Sequence, residues 1–296
     1  MIGRDPYAAL GYEVLKFEPH LHTVHSDGQD SVAAMFEACL GAGYDAVALT
    51  DHNSVAGHAE AAEIAARLDL VLLPGVEVTT FRGHAVVLGV ARVPEWRDLE
   101  VRGMDALAAD VHAEGGVLSV AHPARLGSPI CSGCAWEWSV EPASIDGMEV
   151  FSTARPHTAV PLALWRDRLA QGSQVAPFAA GDVHSTAAAA EPRPATCVYA
   201  LSRSTAGLLD GLRARRLFAS VGPRLDFWLD GPDGQVAVAG QRVFGPGAWT
   251  ARTSDPSATV HEVAVDDGSR CLYAELREPQ GRLLALSAPI WMCTSH

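Results

Sequence analysis

Histidine and carboxylate residues recur at short spacings along the first two thirds of the chain. His20 and His22 lie two residues apart at the end of an apolar run, and Asp51 and His52 directly follow another such run. Because alternate side chains of a strand point to the same face, the spacing of the first pair places both imidazoles on one side. Imidazole nitrogens and carboxylate oxygens are ligands that manganese, iron and zinc accept in proteins. These residues therefore predict metal-dependent chemistry.

The elements that would position these residues alternate between strand and helix. The predicted strands are at residues 16–23, 46–49, 70–73, 85–90, 117–120, 148–151, 177–180 and 197–201, and the predicted helices at 31–42, 55–68, 98–114, 160–171 and 205–216. Strands separated by helices favour parallel pairing in an α/β barrel or a layered sheet. In such a barrel the carboxyl ends of the strands converge on one pocket, so residues far apart in sequence become neighbours.

The sequence pattern changes after Gly222 and Pro223. Short apolar runs are then separated by turn sequences such as GPDG, FGPG and DDG. Such runs are typical of hairpins. We therefore expect an α/β barrel domain at residues 1–222 and a small β-rich domain at residues 223–296 packed on it.

Nine potential ligands lie at predicted strand ends or in the loops just beyond them. They are His20, His22, Asp27, His52, Glu77, His84, His122, Asp182 and His184. Any one of these histidines taken alone is more typical of a hydrogen-bonded barrel residue, and Asp27 or Asp51 could cap a helix. The joint pattern at successive strand ends nevertheless favours a metal site.

Composition narrows the class of partner. The formal net charge is −13 at pH 7, which argues against a nucleic-acid polymer because such partners usually require a clustered basic face. The longest stretch without a charged residue, Leu283–His296, is shorter than the ~18 to 20 residues that span a bilayer, and the first residues lack a secretory signal pattern. Cys131 and Cys134 form a CxxC without a second pair, so we expect two free thiols. We expect a cytoplasmic protein that acts on a small anionic molecule.

The order of the motifs resembles the PHP (polymerase and histidinol phosphatase) family of metallohydrolases. The motifs are HLHTVHSDG, TDH, GVE, GH, AHP and GDVH, which together cover residues 20–184. The resemblance implies a distorted seven-stranded (β/α) TIM-like barrel that holds two or three divalent ions of manganese, zinc or iron.

The same resemblance implies how the ligands divide among three ions. His20, His22, Glu77 and Asp182 would hold the first ion. Glu77 would bridge to a second ion, which His84 and His122 would complete. Asp27, His52 and His184 would hold the third. Two ions that share a carboxylate can hold a hydroxide between them, because coordination lowers the pKa of water toward ~7, and we expect this hydroxide to be the nucleophile.

A narrower resemblance concerns the end of the predicted barrel and the tail. The segment LRARRLFASVGPRL and a β-rich tail ending in SAPIW are similar to the carbaryl-hydrolase-like (CehA/McbA) branch of the family. The chain departs from that branch at His25, where an aromatic residue is usual, and at Ala288, where asparagine is usual. His25 would lie beside the metals, which leaves the substrate open.

Five further residues are predicted to act beside the ligands. His25 is a candidate proton donor to the leaving group, and Asp51 is a candidate for orienting a neighbouring residue. Arg125, Arg155 and His157 lie in loops that are predicted to line the pocket, where they could clamp a phosphate.

Three functions remain open from the sequence. The leading prediction is hydrolysis of phosphate mono- or diesters of a small molecule. The same metals could instead hydrolyse a carboxylic ester, a carbamate or an amide, which the narrower resemblance keeps open. A ligand-sensing module without catalysis is the third, and the complete ligand set argues against it.

Overall fold

The computed structural model describes residues 5–127, 129–131, 133–152, 158–190, 193–244, 248–265 and 267–293. The helices are α1 (Pro6–Ala9), α2 (Val32–Gly41), α3 (His58–Leu68), α4 (Leu99–Arg102), α5 (Met104–Ala113), α6 (Ala159–Ala170), α7 (Thr186–Ala189) and α8 (Thr205–Arg213). The strands are β1 (Glu13–Glu18), β2 (Ala46–Leu49), β3 (Val71–Thr80), β4 (Gly83–Leu88), β5 (Val117–Val120), β6 (Gly147–Ser152), β7 (Ala176–Ala180), β8 (Ala195–Ala200), β9 (Leu217–Ser220), β10 (Phe227–Asp230), β11 (Val236–Val238), β12 (Arg242–Phe244), β13 (Thr250–Thr253), β14 (Thr259–Ala264), β15 (Arg270–Arg277), β16 (Leu283–Ser287) and β17 (Ile290–Cys293).

The amino-terminal two thirds form a mixed α/β architecture around a large sheet. Its strands run in the order β8-β1-β2-β3-β4-β5-β6-β7. The pairs β1–β2, β2–β3, β5–β6 and β6–β7 are parallel, whereas β4 is antiparallel to both of its neighbours. Beyond the ends of β1 and β7, Leu21 and Val183 form a parallel bridge. The first and last parallel strands therefore meet at the edge that carries the polar residues, an arrangement consistent with a PHP barrel.

Several predicted elements differ from the observed ones, and the first strand, expected over 16–23, is observed as β1 at Glu13–Glu18. The third strand was expected over 70–73, but β3 continues to Thr80 because Gly75 allows close approach to β4. A Cβ atom at Gly75 would lie 2.9 Å from the carbonyl oxygen of Val87. The helix expected over 98–114 is divided into α4 and α5 by Gly103, whose φ of +81° is a left-handed conformation that ends the first helix.

Apolar side chains from several strands of the sheet form a buried cluster. Phe17, Ala48, Leu73, Val86 and Phe178 come from five different strands and pack in one buried cluster. Their contacts remove apolar surface from water, which is the main stabilising contribution to such a fold. This packing fixes the strands relative to one another and thereby fixes the residues at their ends.

The carboxyl-terminal strands continue the large sheet across residue 222. Strand β9 pairs with β16, and β16 pairs with β15, which also pairs with β14 and β17. Strands β10, β11 and β13 form a separate three-stranded sheet. Trp165 of α6 contacts Tyr273 of β15 edge to face, with ring centroids 4.9 Å apart. In the described part of the chain, no helix is both long and apolar enough to cross a membrane.

Candidate metal centre

The first two histidines are positioned by the closure between β1 and β7. The backbone N–H of His22 donates to the carbonyl of Val183, and the N–H of Val183 donates to the carbonyl of His20. Both imidazoles are fully buried, and their ring centroids lie 5.0 Å apart. The two-residue spacing on an extended backbone therefore does bring both rings to one place.

Glu77 lies at the centre of the histidine cluster, and its two oxygens face different groups. Oε2 lies 3.0 Å from Nε2 of His20, 3.2 Å from Nε2 of His22 and 3.0 Å from Nδ1 of His52. Oε1 lies 2.9 Å from Nδ1 of His84 and 3.1 Å from Nε2 of His122. One fully buried carboxylate is thus shared between two sets of imidazoles.

Asp182 belongs to the buried group around His20 and His22, whereas Asp27 belongs to a more exposed group at the solvent-facing side of the cluster, which we call its mouth. Oδ1 of Asp182 lies 3.5 Å from Nε2 of His20 and 3.4 Å from Nε2 of His22. Asp27, which is 57% exposed, lies 3.3 Å from Nε2 of His184 and 3.6 Å from Nε2 of His52. The exposed set is therefore the part of the cluster that faces solvent.

Three groups of side chains have potential ligand atoms within 4.8 Å of one another. They are His20, His22, Glu77 and Asp182; His52, Glu77 and His84; and His22, Asp27, His52 and His184. His122 joins the cluster through Glu77. The structure brings all nine predicted ligands together. Two contacts cross the expected division of the ligands among three ions. Nδ1 of His22 faces Asp27, and Nδ1 of His52 faces Glu77.

Several buried atoms of the cluster lack a hydrogen-bond partner, which tests whether cations fit here. These atoms are Nε2 of His20, Nδ1 and Nε2 of His22, Nε2 of His84 and Oε2 of Glu77. Buried polar atoms without partners are costly and rare in folded proteins. Nitrogen and carboxylate lone pairs that converge without donors between them match the ligand set of a first-row divalent metal.

The charges in the cluster are strongly coupled. Burial alone would lower the pKa of His20, but neighbouring carboxylates, led by that of Glu77, raise it well above its ordinary value. Burial alone would likewise raise the pKa of Glu77, but the surrounding imidazoles, led by that of His20, hold it well below its usual range. The carboxylates thus require compensating positive charge, which protons or bound cations can supply.

Two ligand positions have unusual backbone conformations. His122 has a φ of +28° and Asp182 a φ of +49°. Positive φ is uncommon for residues other than glycine and costs about 1–3 kcal/mol when the surrounding structure enforces it. Both residues follow a strand and aim a side chain at the cluster, so the strain is located at the site.

Asp51 and His25 occupy different surroundings from the ligands. Asp51 is buried and accepts hydrogen bonds from the backbone N–H and hydroxyl of Thr23, at 2.8 and 2.9 Å, and from the hydroxyl of Ser26, at 2.6 Å. Its carboxylate therefore anchors the loop that carries Asp27. The ring of His25 packs beside Gly57, and its Nε2 lies 3.0 Å from Oε2 of Glu60.

The structure describes one of the three residues that are predicted to bind phosphate. Nη1 of Arg125 donates to Oδ2 of Asp182 at 2.6 Å, so this guanidinium lies directly beside the cluster. Arg155 and His157 lie outside the described residues.

Sequence reasoning missed two buried carboxylates. Oε1 of Glu149 lies 2.7 Å from Nδ1 of His20, and its Oε2 accepts from the backbone N–H of His122 at 2.7 Å. Oε1 of Glu18 accepts from the backbone N–H groups of His20 and Gly181. A charged residue inside an otherwise largely apolar strand is the sequence signal that could have identified Glu149, whereas Glu18 ends a strand that also contains Glu13 and Lys16 and offers no such signal.

The loop beside His122 also differs from expectation. Cys131 and Cys134 form a disulfide, where two free thiols were expected. Their Cα atoms are 5.5 Å apart, within the range that a disulfide bridges. The carbonyl of Cys134 lies 3.3 Å from Nδ1 of His122, so this loop contacts a potential ligand.

The amino-terminal part of the chain matches a known domain family. Residues 18–119 match the family described as the PHP domain. The chain is also 33% identical over 75 residues to a phosphoribosyl 1,2-cyclic phosphate 1,2-diphosphodiesterase from Eggerthella lenta. This alignment covers 24% of the chain and 29% of the relative, so it spans less than a third of that protein's length.

The fold is similar to that of a solved two-domain protein from Bacteroides vulgatus, described as containing a predicted PHP-like metal-dependent phosphoesterase. The TM-score is 0.58 and the identity 18%, and the similarity covers 95% of this chain and 85% of that one. At this identity the likeness concerns the fold. It extends over the carboxyl-terminal strands as well as the part that matches the PHP domain.

Proposed function

We propose that this chain is a metal-dependent phosphoesterase that hydrolyses phosphate mono- or diesters of a small molecule. The observation that carries the proposal is the position of Glu77, whose two oxygens lie within 3.2 Å of nitrogens from five histidines. A carboxylate shared in this way is suited to bridging two cations. The PHP-domain match and the phosphodiesterase named in the aligned relative support the same chemistry.

We assign the cations to three sets of ligands drawn from the cluster, which differ in part from the groups defined by proximity. The first is His20, His22, Glu77 and Asp182; the second is Glu77, His84 and His122; the third is Asp27, His52 and His184. Manganese, zinc and iron fit this mixture of imidazole and carboxylate ligands. When bound, such ions would lower the pKa of a coordinated water toward ~7 and neutralise charge on a phosphoryl group.

The surrounding residues have separate roles in this proposal. Arg125 reaches the mouth of the cluster beside Asp182, where a guanidinium can bind a phosphoryl oxygen. Asp51 holds the loop that positions Asp27. His25 is the candidate proton donor to the leaving group, with Glu60 as its hydrogen-bond partner. The formal net charge of −13 does not oppose an anionic substrate, because bound cations concentrate positive charge in the pocket.

A second chemistry on the same ligands is hydrolysis of a carboxylic ester, carbamate or amide. The segment that contains β9 and the turn at Gly222 favours it, because this segment is similar to the carbaryl-hydrolase-like branch. We assign the chain to that branch as part of the proposal. We also propose a seven-stranded barrel domain at residues 1–222 and a β-rich domain at 223–296, which the two-domain description of the Bacteroides vulgatus protein supports.

The proposal is tested by metal analysis combined with a panel of generic phosphate and carboxylic esters. We expect two or three divalent ions per chain, loss of turnover on chelation, and recovery with manganese or zinc. Glu77→Ala should reduce the metal content to less than about one ion and lower turnover by at least about a hundredfold, since it opens two sites. A chain that binds less than about one ion after growth in metal-supplemented medium would contradict the proposal. So would a Glu77→Ala variant that keeps its metals and its activity.

A further inference from the structure

Glu149 is a buried acidic residue beside the candidate metal centre. It is not one of the nine predicted ligands. It lies at the third position of β6 and is 2% exposed, and the residues on either side of it, Met148 and Val150, are buried and apolar. A carboxylate in such surroundings is stable only when hydrogen bonds satisfy both oxygens. The two partners that satisfy them belong to two different ligands.

One oxygen of Glu149 contacts the ring of His20. Oε1 lies 2.7 Å from Nδ1. A carboxylate accepts hydrogen bonds and does not donate them, so Nδ1 carries the proton. The lone pair of Nε2 is then directed at Glu77 and Asp182, whose oxygens are 3.0 and 3.5 Å away. Glu149 therefore selects the tautomer of His20 that can bind a cation through Nε2.

The other oxygen of Glu149 contacts the backbone of His122. Oε2 accepts from its N–H at 2.7 Å. The φ of His122 is +28°, a conformation that a residue with a side chain adopts only when its surroundings enforce it. In this conformation Nε2 of His122 lies 3.1 Å from Oε1 of Glu77. The hydrogen bond to Glu149 thus holds the strained backbone that aims this second ring.

We propose that Glu149 is a positioning residue that couples the first two cation sites. It sets the tautomer of a ligand to one ion and the backbone of a ligand to the other, although it contacts neither ion itself. Its loss weakens both ions together, whereas loss of an ordinary ligand acts first on its own ion. The inference rests on the proposed roles of His20 and His122 as ligands, and it is independent of the substrate.

Glu149→Gln is the informative substitution because it keeps the size of the side chain and removes one acceptor. If the amide oxygen faces the N–H of His122, the amide nitrogen donates to Nδ1 of His20 and moves the ring proton to Nε2. If the amide is turned the other way, its nitrogen faces the N–H of His122, donor against donor. Each orientation disturbs one of the two ligands, and an amide that exchanges between the two orientations disturbs both. We expect metal affinity to fall tenfold to a hundredfold, which is the usual effect of losing a partner that orients a ligand.

Glu18→Gln is the matched control. Glu18 is also fully buried beside His20, but the hydrogen bonds that its Oε1 accepts come from backbone N–H groups, those of His20 and Gly181, and not from a ligand ring. A glutamine oxygen can accept both of those hydrogen bonds. We expect Glu18→Gln to bind Co²⁺ within about threefold of the wild-type affinity, since it changes no ligand tautomer.

The experiment is a Co²⁺ titration of the full chain, followed by visible absorption and by competition with a chromophoric chelator. Circular dichroism and thermal unfolding of the metal-free proteins establish that each variant is folded. We expect Glu149→Gln to require higher Co²⁺ for the first two equivalents and to show altered d–d bands, with Glu18→Gln close to wild type. Wild-type affinity and spectrum in a folded Glu149→Gln protein would overturn the proposal.

If Glu149→Gln does not fold, a measurement on the wild-type chain tests which tautomer His20 adopts. Two-bond ¹H–¹⁵N spectra of the metal-free protein with labelled histidine, recorded at a pH where the ring is neutral, report which ring nitrogen carries the proton without the influence of a bound ion. We expect the Nδ1–H form for His20, and an Nε2–H form would overturn the proposal. Because metal affinity and the tautomer are read without a substrate, either result is separate from a failure to find phosphoesterase activity.

Discussion

The guanidinium of Arg125 and the carboxylate of Asp182 form an ion pair at the edge of the metal centre. Nη1 of Arg125 lies 2.6 Å from Oδ2, while Oδ1 of the same carboxylate lies 3.4 Å from Nε2 of His22. The Asp182 side chain is almost completely buried, whereas that of Arg125 is about a third exposed. Asp182 thus has one oxygen directed at the histidines and one at a cation that also reaches solvent.

Arg125→Ala should weaken the binding of an anionic substrate. A hydrogen bond to a charged group contributes about 1.5–3 kcal/mol, so we expect kcat/KM for a phosphoester to fall at least about tenfold, mostly through a higher KM. Arg125→Lys should recover part of the loss because it keeps the charge without the bidentate geometry. Steady-state kinetics with metal analysis of each variant checks this. An unchanged kcat/KM at full metal content would show that Arg125 does not bind the substrate and only pairs with Asp182.

Most of the ligands were accessible from the sequence because they lie beyond the ends of strands, although Glu77 and His84 lie inside β3 and β4. His20 and His22 are two residues apart, and extended backbone alone places their rings on one side. The identification of Glu149 required the tertiary arrangement of the sheet, because β6 does not pair with β1. Its contact with His20 spans 129 positions of the chain, and no local pattern specifies which residue of one strand lies beside which residue of another.

The antiparallel strand β4 was the main feature of the large sheet that could not be predicted. The general alternation of strands and helices favours parallel pairing, but no helix is predicted between the third and fourth strands, and Phe81 and Arg82 form a tight turn that joins them as an antiparallel hairpin. The turn places His84 directly opposite Thr79 in the β3–β4 ladder, two residues from Glu77. The hairpin therefore brings His84 and Glu77 together within one local element. The sequence pattern identified each residue as a ligand but did not predict their contact through a hairpin.

Arg166→Ala should destabilise the contact between α6 and the carboxyl-terminal strands. Arg166 donates to the hydroxyl of Tyr273 at 2.7 Å and pairs with Glu275, which is 1% exposed. Leaving a buried carboxylate with one partner fewer costs free energy, and we expect a loss of about 1–3 kcal/mol because Arg277 still pairs with Glu275. Urea unfolding measures the change.

The control for this substitution is Arg282→Ala, which removes an exposed ion pair with Glu278. Exposed pairs contribute about 0–1 kcal/mol, so Arg282→Ala should change the free energy of unfolding much less than Arg166→Ala does. Equal losses in the two variants would show that Arg166 contributes no more to stability than an exposed surface pair.

His261 should make stability depend on pH in the carboxyl-terminal sheet. Burial lowers its pKa, Glu275 opposes this, and the guanidinium groups of Arg166 and Arg277 lower it further. The folded state therefore binds a proton less readily than the unfolded chain, in which histidine titrates near ~6.5. The stability that the neutral ring contributes is present above that pH and is lost as the pH falls below it.

The comparison is between wild type and His261→Gln by urea unfolding at a series of pH values, with both proteins metal-free. We expect the free energy of unfolding of the wild type to fall more between about pH 8 and pH 5.5 than that of His261→Gln. Titration of the ligand histidines is common to both proteins and cancels in the difference. Parallel pH dependences would contradict the assignment.

Asp27→Ala should separate the two candidate chemistries. Asp27 contacts His184 and His52 at the exposed edge of the cluster, so its loss should weaken the third cation site and spare the pair that shares Glu77. A phosphoryl group presents several anionic oxygens to a third cation, whereas a carboxylic ester develops a single oxyanion that the pair can already stabilise. We therefore expect kcat/KM for a phosphoester to fall at least about tenfold more than for any carboxylic ester that the enzyme accepts. A factor of ten corresponds to only ~1.4 kcal/mol, a small share of the attraction that a divalent charge exerts.

Glu63→Ala is the control for the change in net charge, because Glu63 is an exposed carboxylate on α3 outside the cluster. It should leave both reactions within about twofold, since exposed charges are screened by salt and solvent. Metal analysis must first establish that Asp27→Ala has lost about one ion and kept the other two. With that established, equal losses on the two ester classes would remove the main physical argument for a phosphoesterase, because the third cation would then act on a feature that both substrates share. In that case the ester, carbamate or amide hydrolase becomes the better account of the site.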